Sequence, residues 1–218
     1  MLKSPVPFWD KSFYDHHGRW SHYFYQIAAV RKAIRKFIKL GGMGGDFSVL
    51  EIGPSIGTLT AYLRENNIHV TTCDLKPEYC PDIIGSILNI PLPDSSFDMV
   101  LTCEVFEHLP YQDFLNALRE VYRVTKKWAF ISIPDHRSII CKLSLKIPIL
   151  KEKHFMIRIQ SPFERRSKGK RDGHYWEIGH KGFPLSRIIS DIARAGFTIT
   201  SVIHPYDNTK SVYFFLTK

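Results

Sequence analysis

The sequence predicts an α/β fold, a doubly wound sheet of seven strands, and three observations carry that reading. Apolar runs of strand length alternate with stretches whose apolar residues recur at helical spacing. A turn holding Gly53 and Gly57 joins the first such strand to the helix behind it, within SVLEIGPSIGTLTAYL at 48–63. The last two strands form a hairpin-like pair rather than a further crossover. At 218 residues and 44% hydrophobic composition, the chain suits a single domain with a sizeable core.

Taken in order, residues 1–18 contain two prolines with Phe8, Trp9, Phe13 and Tyr14, and read as an irregular arm whose aromatics need a surface to cover. From about Arg19 a helix builds, with Val30, Ile34, Phe37 and Ile38 at i, i+4, i+7 and i+8, and GGMGG at 41–45 ends it. Val49, Leu50 and Ile52 form the first strand, and 58–66 the next helix. The β-rich stretch 68–73 closes at Asp74, 21 positions beyond Gly53. At that offset an acidic residue ending the second strand accepts ribose hydroxyls. Residues 85–98 lead as a loop into the apolar strand 99–103, and EVFEHLP at 104–110 forms a turn at the carboxyl edge of the sheet, where open α/β sheets place ligands. An amphipathic helix follows at 111–125, then a strand at 129–133 stopped by Pro134, a helix at 184–195 capped by Gly196, and strands at 197–203 and 211–216.

The first turn reads G-P-S-I-G from Gly53 to Gly57. Its glycines let the backbone approach a bound molecule, and the N–H groups opening the next helix can take a carboxylate or phosphate. A dinucleotide loop needs G-x-G-x-x-G and a phosphate-binding loop G-K-[ST], and neither is present, which argues against a nicotinamide-linked oxidoreductase. Glu51, two places before Gly53, offers a carboxylate to a cationic ligand group. The string E-I-G-P-S-I-G resembles the E/D-x-G-x-G-x-G first motif of class I S-adenosylmethionine-dependent methyltransferases, with Ser55 at the middle glycine. Residues 85–109 resemble the G-D-x-x-x-L-P-F-x-D-x-S-F-D-x-V and E-V-x-E-H-L patterns of the methyltransferase type 11 group, with Ser86 where an aspartate usually meets the adenine amino group. The likeness spans 49–133 closely and 183–218 loosely.

The resemblance implies a Rossmann-like three-layer αβα domain with an antiparallel last strand. It implies S-adenosylmethionine as cofactor, S-adenosylhomocysteine as product, and transfer of the sulfonium methyl to a nucleophile. Glu51, Gly53, Pro54, Ser55 and Gly57 would hold the methionine part, Asp74 with Leu75 the ribose, and Ser86 with Ile87 the adenine. Glu104 and Val105 would line the cavity near the sulfur. His108 is the candidate general base for an alcohol or phenol acceptor, against the plainer role of a helix-start residue bonded to backbone. His136, His174 and Tyr175 are further candidates. Glu104, Glu107 and His108 match a stretch that binds a divalent metal in quinone-pathway O-methyltransferases; many relatives with these letters need none, and no metal is expected. The arm and helix at 1–45 would either pack on the sheet edge or cover the cofactor.

Charge is concentrated. The formal net charge is +9, and between His136 and Gly173 eleven Lys/Arg face three acidic residues. This basic, aromatic insertion at 135–183 lies where such enzymes carry substrate elements. Residues 139–150 alternate apolar and basic, RRSKGKR at 165–171 reads as a mobile positive loop, and HYWEIGHKGFP at 174–184 as an aromatic lid. Three readings stay open: a solvated loop, a wall for an anionic small-molecule acceptor, and a contact for nucleic acid or an anionic membrane surface. Against nucleic acid, Glu104-Val105-Phe106-Glu107 is not the Asn/Asp-Pro-Pro-aromatic motif that holds a flipped base. An alternative function is a catalytically silent S-adenosylmethionine-binding protein whose insertion binds a partner. Cys73, Cys80, Cys103 and Cys141 form no C-x-x-C pair and read as buried thiols. No signal peptide or long apolar span is read, so a cytoplasmic location is expected.

Overall fold

The computed structural model describes residues 17–146, 152–160 and 173–218, with side chains from residue 20 onward. The arm at 1–16 and the RRSKGKR stretch therefore lie outside the described residues. A seven-stranded sheet forms from β1 (Ser48–Ile52), β2 (His69–Asp74), β3 (Ile83–Ile84), β4 (Phe97–Cys103), β5 (Thr125–Pro134), β8 (Thr198–Ile203) and β9 (Ser211–Thr217), in the order β3-β2-β1-β4-β5-β9-β8. The first five strands run parallel, and β9 pairs antiparallel with both β5 and β8. Central strands are apolar without alternation because both faces are covered. One face packs against α3 (Tyr111–Val124) and α4 (Leu185–Arg194) around Phe114, Leu118, Ile131 and Phe214. The opposite face takes α1 (His17–Lys39) and α2 (Thr58–Glu65), with Ala29, Val30 and Ala33 of α1 against Phe130, Tyr213 and Phe215. Helix α1 thus lies across the centre of a face rather than at an edge, and His22 Nδ1 sits 2.6 Å from the buried Tyr213 hydroxyl.

Polar clamps fix the loops that lead to the site. Asp98 opens β4 and accepts the Ser48 N–H and hydroxyl at 2.9 and 2.7 Å, registering β4 against β1. Arg123 on α3 donates to the carbonyls of Ile90 and Leu92, while Glu120 accepts the Ile90 N–H, so the loop before β4 is held by two residues one helical turn apart. Strand β3, only two residues long, sits inside a stretch too short to show a sequence period.

The insertion departs from expectation in two ways. It contains an antiparallel hairpin, β6 (Ser138–Leu145) and β7 (Lys153–Ile159), forming its own two-stranded sheet. Its aromatic end is largely core: Trp176 and Ile178 are fully buried, Ile178 bridges the end of β5 through Asp135, and only Tyr175 is well exposed. The Trp176 indole N–H donates to the Leu109 carbonyl at 3.1 Å and its ring meets Tyr111 and Phe114 edge-on. The thiols divide as well: Cys73 is buried, but Cys80 and Cys141 are exposed. Among the described residues no helix is long and apolar enough to cross a membrane.

Candidate active site

The residues singled out in the sequence gather at the carboxyl ends of β1, β2 and β4. Gly53 leaves β1 with φ 72°, donates its N–H to the Cys73 carbonyl at 2.9 Å, and lies under Val105, whose Cγ2 would stand 2.6 Å from any added Cβ. Ser55 and Gly57 also take left-handed backbone, φ 53° and 74°, so the chain reverses within five residues and Gly57 enters α2 as its N-cap. The Gly57 N–H donates to the carbonyl of the buried Pro54 at 2.9 Å, closing the turn. Serine at 55 bears a conformation that favours glycine, at a cost of roughly 1 kcal/mol.

Glu51 is buried beneath this turn and accepts a hydrogen bond from the Thr60 hydroxyl at 2.5 Å. Burial pushes its carboxyl up to about 7, although the Thr60 hydrogen bond and Arg64 pull the other way. Asp74 ends β2 half-buried. One of its oxygens takes the Lys76 N–H at 2.9 Å, and burial raises its pKa against the opposing pull of Lys76. Leu75 beside it is exposed.

Glu104 leaves β4 with φ 56° and is tied to β5, where the Ser132 hydroxyl donates to its Oε1 at 2.9 Å and accepts its N–H at 3.1 Å. Ser86 is half-buried and its hydroxyl accepts the Leu88 N–H at 3.2 Å. The Ile87 side chain is in the core beneath α3, which leaves its backbone to meet a ligand. Neither Thr60 nor Ser132 was indicated by any sequence motif; each lies across a turn or a strand pair from the acid it orients.

His108 is exposed, with Nδ1 3.1 Å from the Gly173 carbonyl. A carbonyl can only accept, so Nδ1 carries the proton and Nε2 keeps the lone pair. Partial desolvation of the ring by its neighbours lowers its pKa, partly offset by the Gly173 bond, and His174 and Lys76 lower it further. The His174 ring lies 4.7 Å away, edge-on. The acids do not assemble as anticipated. Glu104 turns to Ser132, and among the described residues two sets have ligand atoms within 4.8 Å of one another: His136, Glu177 and His180, and Glu107, His108 and His174. Glu177 accepts from His174 at 2.6 Å and pairs with His136 at 2.8 Å. Burial works against that carboxylate, but the two imidazoles outweigh it and bring it down to about 2. His136 is thus held by the Glu177 carboxylate, and the Tyr175 N–H donates to the Glu107 carbonyl at 2.7 Å, which ties the insertion to the turn after β4.

Residues 50–133 match the methyltransferase domain family. An uncharacterized methyltransferase of Schizosaccharomyces pombe is 43% identical over 56 residues, 26% of this chain and 19% of that one, so the match spans about a fifth of the yeast protein. Among solved structures, the 1,6-didemethyltoxoflavin-N1-methyltransferase of Burkholderia thailandensis, with bound 1,6-didemethyltoxoflavin and S-adenosylhomocysteine, aligns with a TM-score of 0.53 at 17% identity, covering 96% of this chain and 85% of its own. The magnesium protoporphyrin IX methyltransferase of Synechocystis, bound to S-adenosylhomocysteine, aligns at 0.56 and 11% identity over 98% and 88%. These structural likenesses establish the shared fold, in which β9 is the antiparallel member of a seven-stranded sheet.

Proposed function

We propose that residues 50–133, which match the methyltransferase domain family, form a class I S-adenosylmethionine-dependent methyltransferase domain, and that the protein transfers the sulfonium methyl to an anionic small-molecule acceptor admitted beside the insertion. The observation that carries this reading is the pairing of a buried Glu51 with Asp74 on either side of the Gly53–Gly57 turn. The two acids suit a molecule with an ammonium at one end and a ribose diol at the other. Gly53 marks the cradle, since a Cβ there would strike Val105.

When bound, S-adenosylmethionine supplies an electrophilic methyl, so the chain's own work is to bind, orient, exclude water and accept a proton. Glu51, ionised beside the ammonium, the backbone at 53–57 and the Asp74 carboxylate hold the two ends. Ser86 and the Ile87 backbone would meet the adenine, and Glu104 and Val105 would line the cavity near the sulfur. For a hydroxyl acceptor, Nε2 of His108 takes the proton; its lowered pKa keeps it neutral at neutral pH. The basic residues of 136–173 favour an acceptor with a carboxylate or phosphate.

Calorimetric titration with S-adenosylhomocysteine tests cofactor binding, and a panel of anionic and neutral acceptors assayed for S-adenosylhomocysteine release tests transfer. Heat without product from any pool would favour the silent binding protein, and no heat at all would remove both readings.

A further inference from the structure

The hairpin of β6 and β7 is inverted. In an antiparallel sheet with one face on the protein, apolar residues face inward and polar residues outward. Here Lys142, His154 and Arg158 face the body. Lys142 and His154 lie on the Tyr206 ring at 4.2 and 4.3 Å from its centroid, and Arg158 pairs with the buried Asp135 and donates to the Thr209 carbonyl at 2.9 Å. The alternate positions are Leu143, Leu145, Phe155, Ile157 and Ile159, with Leu143 opposite Phe155 and Cys141 opposite Ile157. All of these are exposed, Phe155 at 52% and Ile157 at 54%, and Ile140 at the β-bulge adds 61%.

An isolated two-stranded sheet is marginal in water, and nothing in its own stability calls for an outward apolar face. A contiguous patch of large apolar side chains marks a contact surface. We propose that this face docks the protein on an anionic membrane surface, the apolar side chains entering the headgroup boundary and the surrounding lysines meeting acidic lipid. Charge selects this occupant. Lys146 and Lys153 border the patch, the strand connection at 147–151 reads IPILK, and the segment carries eleven basic residues against three acidic ones between His136 and Gly173. An apolar element with a basic rim is the chemistry that binds such interfaces. A second copy of the chain would bring the same positive charge against itself. The inference concerns lipid contact alone and stands whether or not the methyl acceptor is found.

The test is co-sedimentation of the full chain with vesicles of phosphatidylcholine containing roughly a third phosphatidylglycerol, against phosphatidylcholine alone. Wild type is expected to pellet with the anionic vesicles and to be released as salt screens the lysines. The double variant Phe155→Ser with Ile157→Ser is expected to lose more than about tenfold in partitioning. Both side chains are exposed, so this variant should keep its melting temperature and its S-adenosylhomocysteine titration. The proposal is overturned by wild type that stays in solution with anionic vesicles, or by a double variant that binds as well as wild type. It is equally overturned by wild type that self-associates through this face, read as a dimer that the double variant makes monomeric.

Discussion

Replacing Glu51 with glutamine separates what the site needs from what the fold prefers. Glutamine keeps the shape of the side chain and can still accept the Thr60 hydroxyl, but removes the buried charge. The folded protein holds the Glu51 proton up to about pH 7, whereas the unfolded chain releases it near the ordinary 4.5. Wild-type stability from this group is therefore complete below 4.5 and declines as pH rises from there to 7, because the folded state binds more protons across that window. At about 1.4 kcal/mol per pH unit, the full cost above pH 7 is about 3 kcal/mol. Glu51→Gln escapes it. Its melting temperature should match wild type near pH 4.5 and exceed it by roughly 6–12 °C at pH 8, given a few degrees per kcal/mol for a domain of this size. Scanning both proteins by thermal denaturation from pH 4.5 to 8.5 without ligand makes the comparison. At pH 8 the same variant should bind S-adenosylhomocysteine at least about tenfold more weakly, having lost the countercharge to its ammonium. A melting difference independent of pH would refute the reasoning, and so would a variant less stable than wild type at pH 8.

Other perturbations bear on the remaining parts. Asp74→Asn should lower S-adenosylhomocysteine affinity about ten- to a hundredfold by titration calorimetry, with little change in melting temperature, since the side chain is half-buried and bonds only to the backbone N–H groups that follow it in the turn. Gly53→Ala should cost about 1–3 kcal/mol in chemical denaturation and abolish binding, because its φ of 72° strains any L residue and the new Cβ meets Val105; adding Val105→Ala should recover part of the stability. His108→Ala should leave cofactor binding unchanged while removing transfer to a hydroxyl acceptor, and at saturating cofactor the imidazole limb of the wild-type rate should lie below the ordinary histidine range, whereas subsaturating cofactor already binds more weakly as Glu51 takes its proton near pH 7. Arg158→Met should strip Asp135 of one of its two cationic partners and speed amide exchange in β6 and β7, with the Gly53 turn unaffected.

Much of this fold is legible because its central strands announce themselves. Val49, Leu50 and Ile52, and Met99 to Leu101, form apolar runs without alternation, as strands covered on both faces do, and the glycine turn and Asp74 follow at fixed offsets. Two-residue β3 offers no period to read. The alternation at 139–150 was visible as apolar and basic, yet only the register with 153–159 reveals a hairpin and which way each side chain turns. Trp176 looked like part of a lid because it stands among charged and glycine residues. Its burial depends on Leu109, Tyr111 and Phe114, more than sixty positions earlier, and no local pattern encodes that contact. At the site, the acids were named by motif, while their orientation came from Thr60 and Ser132, which motif spacing does not mark.

The sheet order has a consequence for synthesis. The ribosome makes α1 early and β9 after every other strand, yet β9 wedges between β5 and β8, and its Tyr213 receives His22 from 191 positions upstream. Until β9 emerges, Phe130 on β5 lacks its stacking neighbour and the first helix has no floor on which to settle. A nascent chain paused ahead of residue 211 would thus hold α1 in waiting, an interval in which holding factors rather than native packing must keep those apolar surfaces apart.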